Sequence, residues 1–362
     1  MTGLLHCTLS ILYTQAMPTL NKTKKEAKII LKWGGISLLI IFLVLNFGRF
    51  VTFIKENLTP PPPPQASFGK LPPIPFPNQQ KENIIYSLDT LSGFLPNFSD
   101  RAKVYKITPN PPTLLAFDRV QEKVAQIGFN SKGTQIAQDV YQWVDQGSTF
   151  QRRITINIFS SDFTLSAPYL ITPSLQALEN SNEQNSAIEK AQSFFSGLSL
   201  LPEDIDHEKT KVTLYSIEKS TLTPTSKISN AKIVRVDFFQ KDLENFPIYY
   251  EKGIASTINL LIGKENNQLE VVEARYFHKN ISENSSTYAI KSASEAFAQL
   301  KQGKAHIASI SSDALEIAIK KVLLGYYIGE DHQDFLMPIV IFVGENDFVA
   351  YISAVRDEWI RN

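Results

Sequence analysis

Beyond the N-terminal region the chain carries His207, His278, His306 and His332, the residue type most often used for acid–base work, nucleophile activation or metal ligation. They stand far apart, and none sits in a nucleophile-elbow or HExxH setting. His207 is flanked by Asp204, Asp206 and Glu208 in LPEDIDHEK, a donor set that could take a cation. The spacing matches neither an EF-hand loop nor a zinc motif, so the expected reading is a solvated acidic loop. Residues 330–334, EDHQD, pose the same choice and read as a polar hairpin loop. Glu273 and Arg275 alternate with Val272, Ala274 and Tyr276, which places both on one strand face, where they are expected to pair. Glu273 has no second group beside it in sequence to complete a catalytic set. There is no GxGxxG and no P-loop, and the glycines of KGTQ and LIGKEN lack phosphate-cradle spacing. The sequence therefore predicts no catalytic residue, no metal ligand and no cofactor. Asn97, Asn280 and Asn284 open glycosylation sequons, which matter only in a eukaryotic secretory pathway.

The strongest positional signal is an apolar segment over 33–54, WGGISLLIIFLVLNFGRFVTFI. A bilayer core of roughly 30 Å needs about 20 mostly apolar helical residues. Trp33, Leu38, Leu39, Ile40, Ile41, Phe42, Leu43, Val44 and Leu45 form the expected anchor, with Arg49 snorkelling at its far end. Lys22, Lys24, Lys25, Lys28 and Lys32 precede it, which places the N-terminal side in the cytoplasm and the rest outside. The stretch is longer than a signal-peptide core, has no A-x-A site and is followed by no lipoprotein cysteine. Residues 1–16 read as an over-extended start, with Met17 opening a more natural one; the single cysteine, Cys7, lies there. The exported part must accordingly fold on its core alone, without disulfides.

Residues 55–80 form a proline-rich linker, with Pro60 to Pro64 favouring stiff polyproline II. Its second half, FGKLPPIPFP over 68–77, is apolar enough to pack onto the first domain as an extended strap. Lys plus Arg equals Asp plus Glu at 36 each, which gives no basic surface for a nucleic acid. Hydrophobic residues at 43% and aromatic residues at 11% describe a folded, core-rich chain.

One pattern recurs three times, an amphipathic helix followed by an antiparallel meander. The first unit, 81–175, has Leu114, Phe117, Val120, Val124 and Ile127 at helical spacing and a stop at Gly128. Strands are expected at 139–145, 153–159 and 163–167. The second unit, 176–285, has a helix over 185–197 and strands at 211–218, 231–240, 254–262 and 269–277, with Pro247 at a strand start or edge. The third, 286–362, has a helix over 292–302 and strands at 316–328, 337–343 and 348–355. The fold class expected is α+β: helix-plus-antiparallel-sheet units behind one transmembrane helix.

The third unit resembles the C-terminal unit of YycI-type extracytoplasmic regulators and, more broadly, PepSY-like modules of bacterial envelope proteins. The resemblance lies in an alanine-rich helix followed by Leu324, Gly325, Tyr326 and Tyr327, then Pro338, Ile339 and Phe342, then Tyr351 and Ala354. Val340 stands where an aromatic is often found. The resemblance implies a non-enzymatic partner of another membrane or envelope protein. Tyr326 and Tyr327 alternate on their strand, so one can cover the core while the other meets a partner; ordinary core positions are the plainer reading. Tyr326, Tyr327, Pro338, Phe342 and Tyr351 are the expected partner-binding strand residues. The function expected is a membrane-anchored binding or regulatory protein of the cell envelope. A self-associating structural protein is the alternative, and a hydrolase built from dispersed acids and histidines ranks below both.

Overall fold

The computed structural model describes residues 28–29, 31–38, 64–77, 84–111, 114–145, 150–172, 174–253, 255–311 and 316–361. The chain divides into two units, 1–63 and 64–362. In the first, residues 31–38 are helical and exposed, Trp33 and Leu38 among them. The rest of the expected anchor, Leu39 to Leu45 and onward, lies outside the described residues. Among the described residues no helix is long and apolar enough to cross a membrane.

The second unit is α+β and mostly strand. It opens with β1 (Ile85–Leu88) and β2 (Arg101–Ile107), short strands whose partners lie far along the chain. Helix α1 (Ala116–Gln126) buries Ala116, Val120 and Val124, and ends where Gly128 turns left-handed at φ 102°. There the Phe129 amide donates to the Val124 carbonyl at 3.0 Å, satisfying a carbonyl that the helix end would leave bare. A meander follows: β3 (Thr134–Ala137), β4 (Val140–Val144), β5 (Arg153–Asn157) and β6 (Phe163–Ser166). Helix α2 (Asn182–Gly197) then leads to β7 (Ile205–Glu218), β8 (Thr221–Pro224), β9 (Ile233–Gln240), β10 (Ile248–Tyr250), β11 (Ile258–Glu265) and β12 (Gln268–Tyr276).

All of these except β1, β2 and β10 join one nine-stranded antiparallel sheet, ordered β3-β4-β5-β6-β12-β11-β9-β7-β8. The strands after α1 and those after α2 therefore meet through their last members. At that seam Phe163 pairs with Tyr276, their rings stacked at 5.6 Å. The two helices bury the same sheet face: Val124, Ala187, Ala191 and Phe195 pack with Ile154, Leu165, Val236 and Leu260.

After β13 (Ile281–Ala289) comes α3 (Ala293–Lys301). Ser292 and Glu295 close a capping box, the Glu295 amide donating to Ser292 Oγ at 3.2 Å and the Ser292 amide to Glu295 Oε2 at 2.7 Å. Then come β14 (His306–Ser309), β15 (Glu316–Ile328), β16 (Phe335–Leu336), β17 (Pro338–Gly344) and β18 (Val349–Ser353). The six-stranded sheet runs β15-β17-β18-β14 by antiparallel ladders. Only β17 and β18 are neighbours both in the chain and in the sheet; β14 and β15 join from positions out of chain order, unlike the first meander. The outer edge of β15 carries two parallel strands from earlier in the chain, β1 on 316–319 and β10 on 326–328. A small sheet, β13-β2-β16, completes the unit.

Helix α3 covers one face of the six-stranded sheet, packing Ala296 and Leu300 with Ile317, Ile319, Val322 and Phe342. Residues 64–77 cover part of the other. The strap was expected on the first unit, but it lies on this C-terminal sheet, whose second face presents Tyr327, Ile339, Ile341 and Tyr351. Leu71 is fully buried there. Its amide donates to the Trp359 carbonyl at 2.8 Å, and its own carbonyl accepts from the Arg361 amide at 2.8 Å.

Candidate interaction site

The residues expected to face a partner lie inside the protein. Tyr327, Phe342 and Tyr351 are fully buried, Tyr326 is 1% exposed, and Pro338 is buried. The physical reason is that β15 is covered on both faces, so the alternation of its side chains brings neither tyrosine to solvent. Tyr326 meets Tyr105 edge-on at 5.6 Å, and its hydroxyl donates to the Lys103 carbonyl at 3.1 Å. Tyr327 lies on the strap side, 4.8 Å from the Phe76 ring and 5.9 Å from Tyr351. Burial pushes all three phenols above their ordinary range, so they remain neutral. Gly325 permits close approach of the Pro247 backbone: a Cβ there would lie 2.6 Å from the Pro247 carbonyl oxygen.

What is open is the outer edge of β15. Its pairing with β1 ends at Ile319 and its pairing with β10 begins at Tyr326. Over 320–325 no strand lies on that edge among the described residues. At about 3.3 Å per residue this interruption spans about 20 Å. Both flanking strands turn away for visible reasons. After β1 the chain enters the turn at 91–94. Before β10, Glu244 and Asn245 form a left-handed two-residue turn, at φ 52° and 69°, and Pro247 supplies no amide with which to extend the ladder. A groove of roughly 500 Å³ occupies the interruption. Phe98 and Phe246 wall it on the α3 side, next to Val322 and Leu324. Leu323 belongs to the opposite face, and Lys321 is exposed and makes no ion pair among the described residues. Lys320, by contrast, is held by Asp89 and, at 2.8 Å, by Glu345.

The histidines and acids occupy a second place. A polar cleft of roughly 470 Å³ lies between the β5–β6 turn, the segment after β12 and the loop 329–334. His278 at its base is 2.9 Å from Asp204 through Nε2, and Gln240 Nε2 donates to the other Asp204 oxygen at 2.7 Å. Burial pushes the Asp204 carboxyl up, but the hydrogen bond and charge of His278, with Gln240 and a backbone amide, hold it below its ordinary value. Asp162 is raised instead, because burial outweighs the pull of Lys279, 3.8 Å away. Asp204 and His278 are separated by 74 positions, so no local motif could have revealed the pair. His207 is exposed on β7 and takes no part in it. Glu273 and Arg275 do not pair with each other: Glu273 accepts from the Tyr169 hydroxyl at 3.1 Å, and Arg275 pairs with Glu330. His332 turns to Asp334 at 3.1 Å, and His306 stacks on Phe76 at 5.2 Å. Among the described residues no group of His, Cys, Asp and Glu is arranged to hold a metal ion.

No family model matches the chain, and no curated protein matches it. Among solved structures, an uncharacterized protein from Eubacterium rectale is similar at 12% identity over 76% of this chain and 90% of its own, with a TM-score of 0.37. The C-terminal domain of YpeB from Bacillus megaterium is similar at 11% identity over 68% of this chain and 94% of its own, with a TM-score of 0.30.

Proposed function

We propose that this chain is a membrane-anchored, extracytoplasmic protein that works by binding another protein of the cell envelope. The lysine-flanked apolar segment 33–54 supplies the anchor, with the N-terminus in the cytoplasm, and the proline run holds the body off the lipid. The likeness of residues 289–355 to YycI-type and PepSY-like modules agrees with a regulatory partner role. The observation that carries the binding reading is the interrupted edge of β15, because unpaired strand edges recruit extended segments by β-addition.

In-cell crosslinking of the full-length protein, with partners identified by mass spectrometry, tests the proposal. Reproducible capture of one membrane or envelope protein is the expected result. Capture of this chain alone would overturn it in favour of a self-associating structural role.

A further inference from the structure

We infer that the interruption in the β15 edge is a receptor for a short extended segment of a partner protein, one that alternates apolar and acidic side chains. The inference rests on the binding function proposed above and adds the chemistry of what is bound.

The length of the segment follows from the two strands that bound the groove. β1 and β10 lie on the same edge of β15 and leave only 320–325 between them. A backbone entering there continues a ladder whose position is already set at both ends, so little ordering is left to accomplish on binding. The Asp89 amide on the Ile319 carbonyl and the Pro247 carbonyl on the Tyr326 amide, close against Gly325, occupy the two ends, so its length is limited to about four or five residues at strand rise.

The side-chain preference follows from the pleat. Successive residues of an added strand point to opposite faces. On the α3 face they meet Phe98, Phe246, Val322 and Leu324, which are already part of an apolar cluster. An apolar side chain there removes further carbon surface from water. On the opposite face they meet Leu323 and the ammonium of Lys321, which makes no ion pair among the described residues. A carboxylate at that position gains a partner, and a basic side chain is repelled. The register irregularity between Ile319 and Lys321 and the two adjacent lysines make this edge a poor template for an arbitrary strand, so charge does the selecting.

The test is selection of a phage-displayed library of random octapeptides on the full-length chain, run in parallel on Lys321→Glu. Wild type is expected to enrich peptides with apolar residues at alternate positions and Asp or Glu between them. Those peptides should bind Lys321→Glu about two- to fivefold more weakly, and selection on the variant should lose the acidic preference. Phe98→Ala, checked for an unchanged unfolding transition, should weaken the apolar preference. Enrichment of no sequence, or of peptides that bind both variants as tightly as wild type, would overturn the inference. In-cell capture of an envelope partner without any enriched octapeptide would remove the receptor and leave the binding function standing. Failure of both experiments would remove both.

Discussion

The hydroxyl of Tyr351 donates to the carbonyl oxygen of Tyr250 at 2.9 Å, joining β18 to a strand 101 positions earlier that β18 does not neighbour in the sheet. The Tyr250 hydroxyl in turn accepts from the Gln240 amide at 3.0 Å, on β9 of the other sheet. Two buried tyrosines thus connect the six-stranded sheet to the nine-stranded one. Tyr351→Phe removes the donor and keeps the ring. It should lower stability by about 1 kcal/mol, the usual net contribution of a buried hydrogen bond, read as a shift in the urea midpoint. An unshifted midpoint would mean that the Tyr250 carbonyl finds another donor.

Asp204 and Asp162 line or border the same cleft and should respond to acid in opposite directions. The Asp204 carboxyl lies below its ordinary value of 3.8 when folded, so its favourable contribution is complete above 3.8 and is lost as the pH falls through the folded value. The Asp162 carboxyl lies above 3.8 when folded; the folded state holds that proton more tightly, and this contribution is lost as the pH rises through the folded value. Urea midpoints taken from about pH 3 to about pH 7 should show Asp204→Asn losing ground to wild type as the pH rises. Asp162→Asn should gain ground over the same range. Parallel curves for the two variants would contradict the assignment.

The strap is held by burial as well as by backbone pairing. Leu71 is fully enclosed among Ile74, Ile339, Ile341 and Val355, so Leu71→Ala should cost about 2–5 kcal/mol. Faster tryptic cleavage after Lys70 in the variant would show that the loss is local to the strap. Global unfolding without early cleavage there would show that the strap and sheet come apart together.

Gly325 offers a sharper test of how β10 is seated. An added methyl would lie 2.6 Å from the Pro247 carbonyl oxygen and 2.6 Å from Ile341 Cδ1. Gly325→Ala should destabilise by about 1–3 kcal/mol and loosen the pairing of Ile248 with Tyr326, visible as faster amide exchange at Tyr326. Unchanged exchange would show that the sheet absorbs the methyl without parting.

Local rules were sufficient where partners are close in sequence. Helices expected over 185–197 and 292–302 are found at Asn182–Gly197 and Ala293–Lys301, because apolar spacing and the Ser292–Glu295 cap act within a few residues. The strands expected at 254–262 and 269–277 pair as a hairpin that turns on Asn266 and Asn267, both left-handed. Strands β1, β2, β3, β8, β13, β14 and β16 were not foreseen, and β10 was foreseen only as a strand start or edge at Pro247. β13, ISENSSTYA, is rich in serine and asparagine and reads as a loop; only its ladder to β2, from Ile107 to Arg101, makes it a strand. The same limit hid the candidate site. The interruption in β15 exists only because β1 and β10 stop short of each other, and His278 and Asp204 meet only across the fold. The tyrosines of β15 were recognisable as strand residues, but their burial depends on the strap and on β2, neither of which is next to them in sequence.

The bridge between Leu71 and Ile360 has a consequence for the order of assembly. The strap, β1 and β2 leave the ribosome early, yet their partners are Ile360, β15 and the β13–β16 segments, which are made last. Contacts of such sequence separation give a high contact order, which slows folding because a long loop must close before any pairing rewards it. The nine-stranded sheet draws only on 134–276 and can form first, as a nucleus. The six-stranded sheet must wait for the C-terminus, and until then the apolar strap remains uncovered, in the state that a holdase chaperone would recognise.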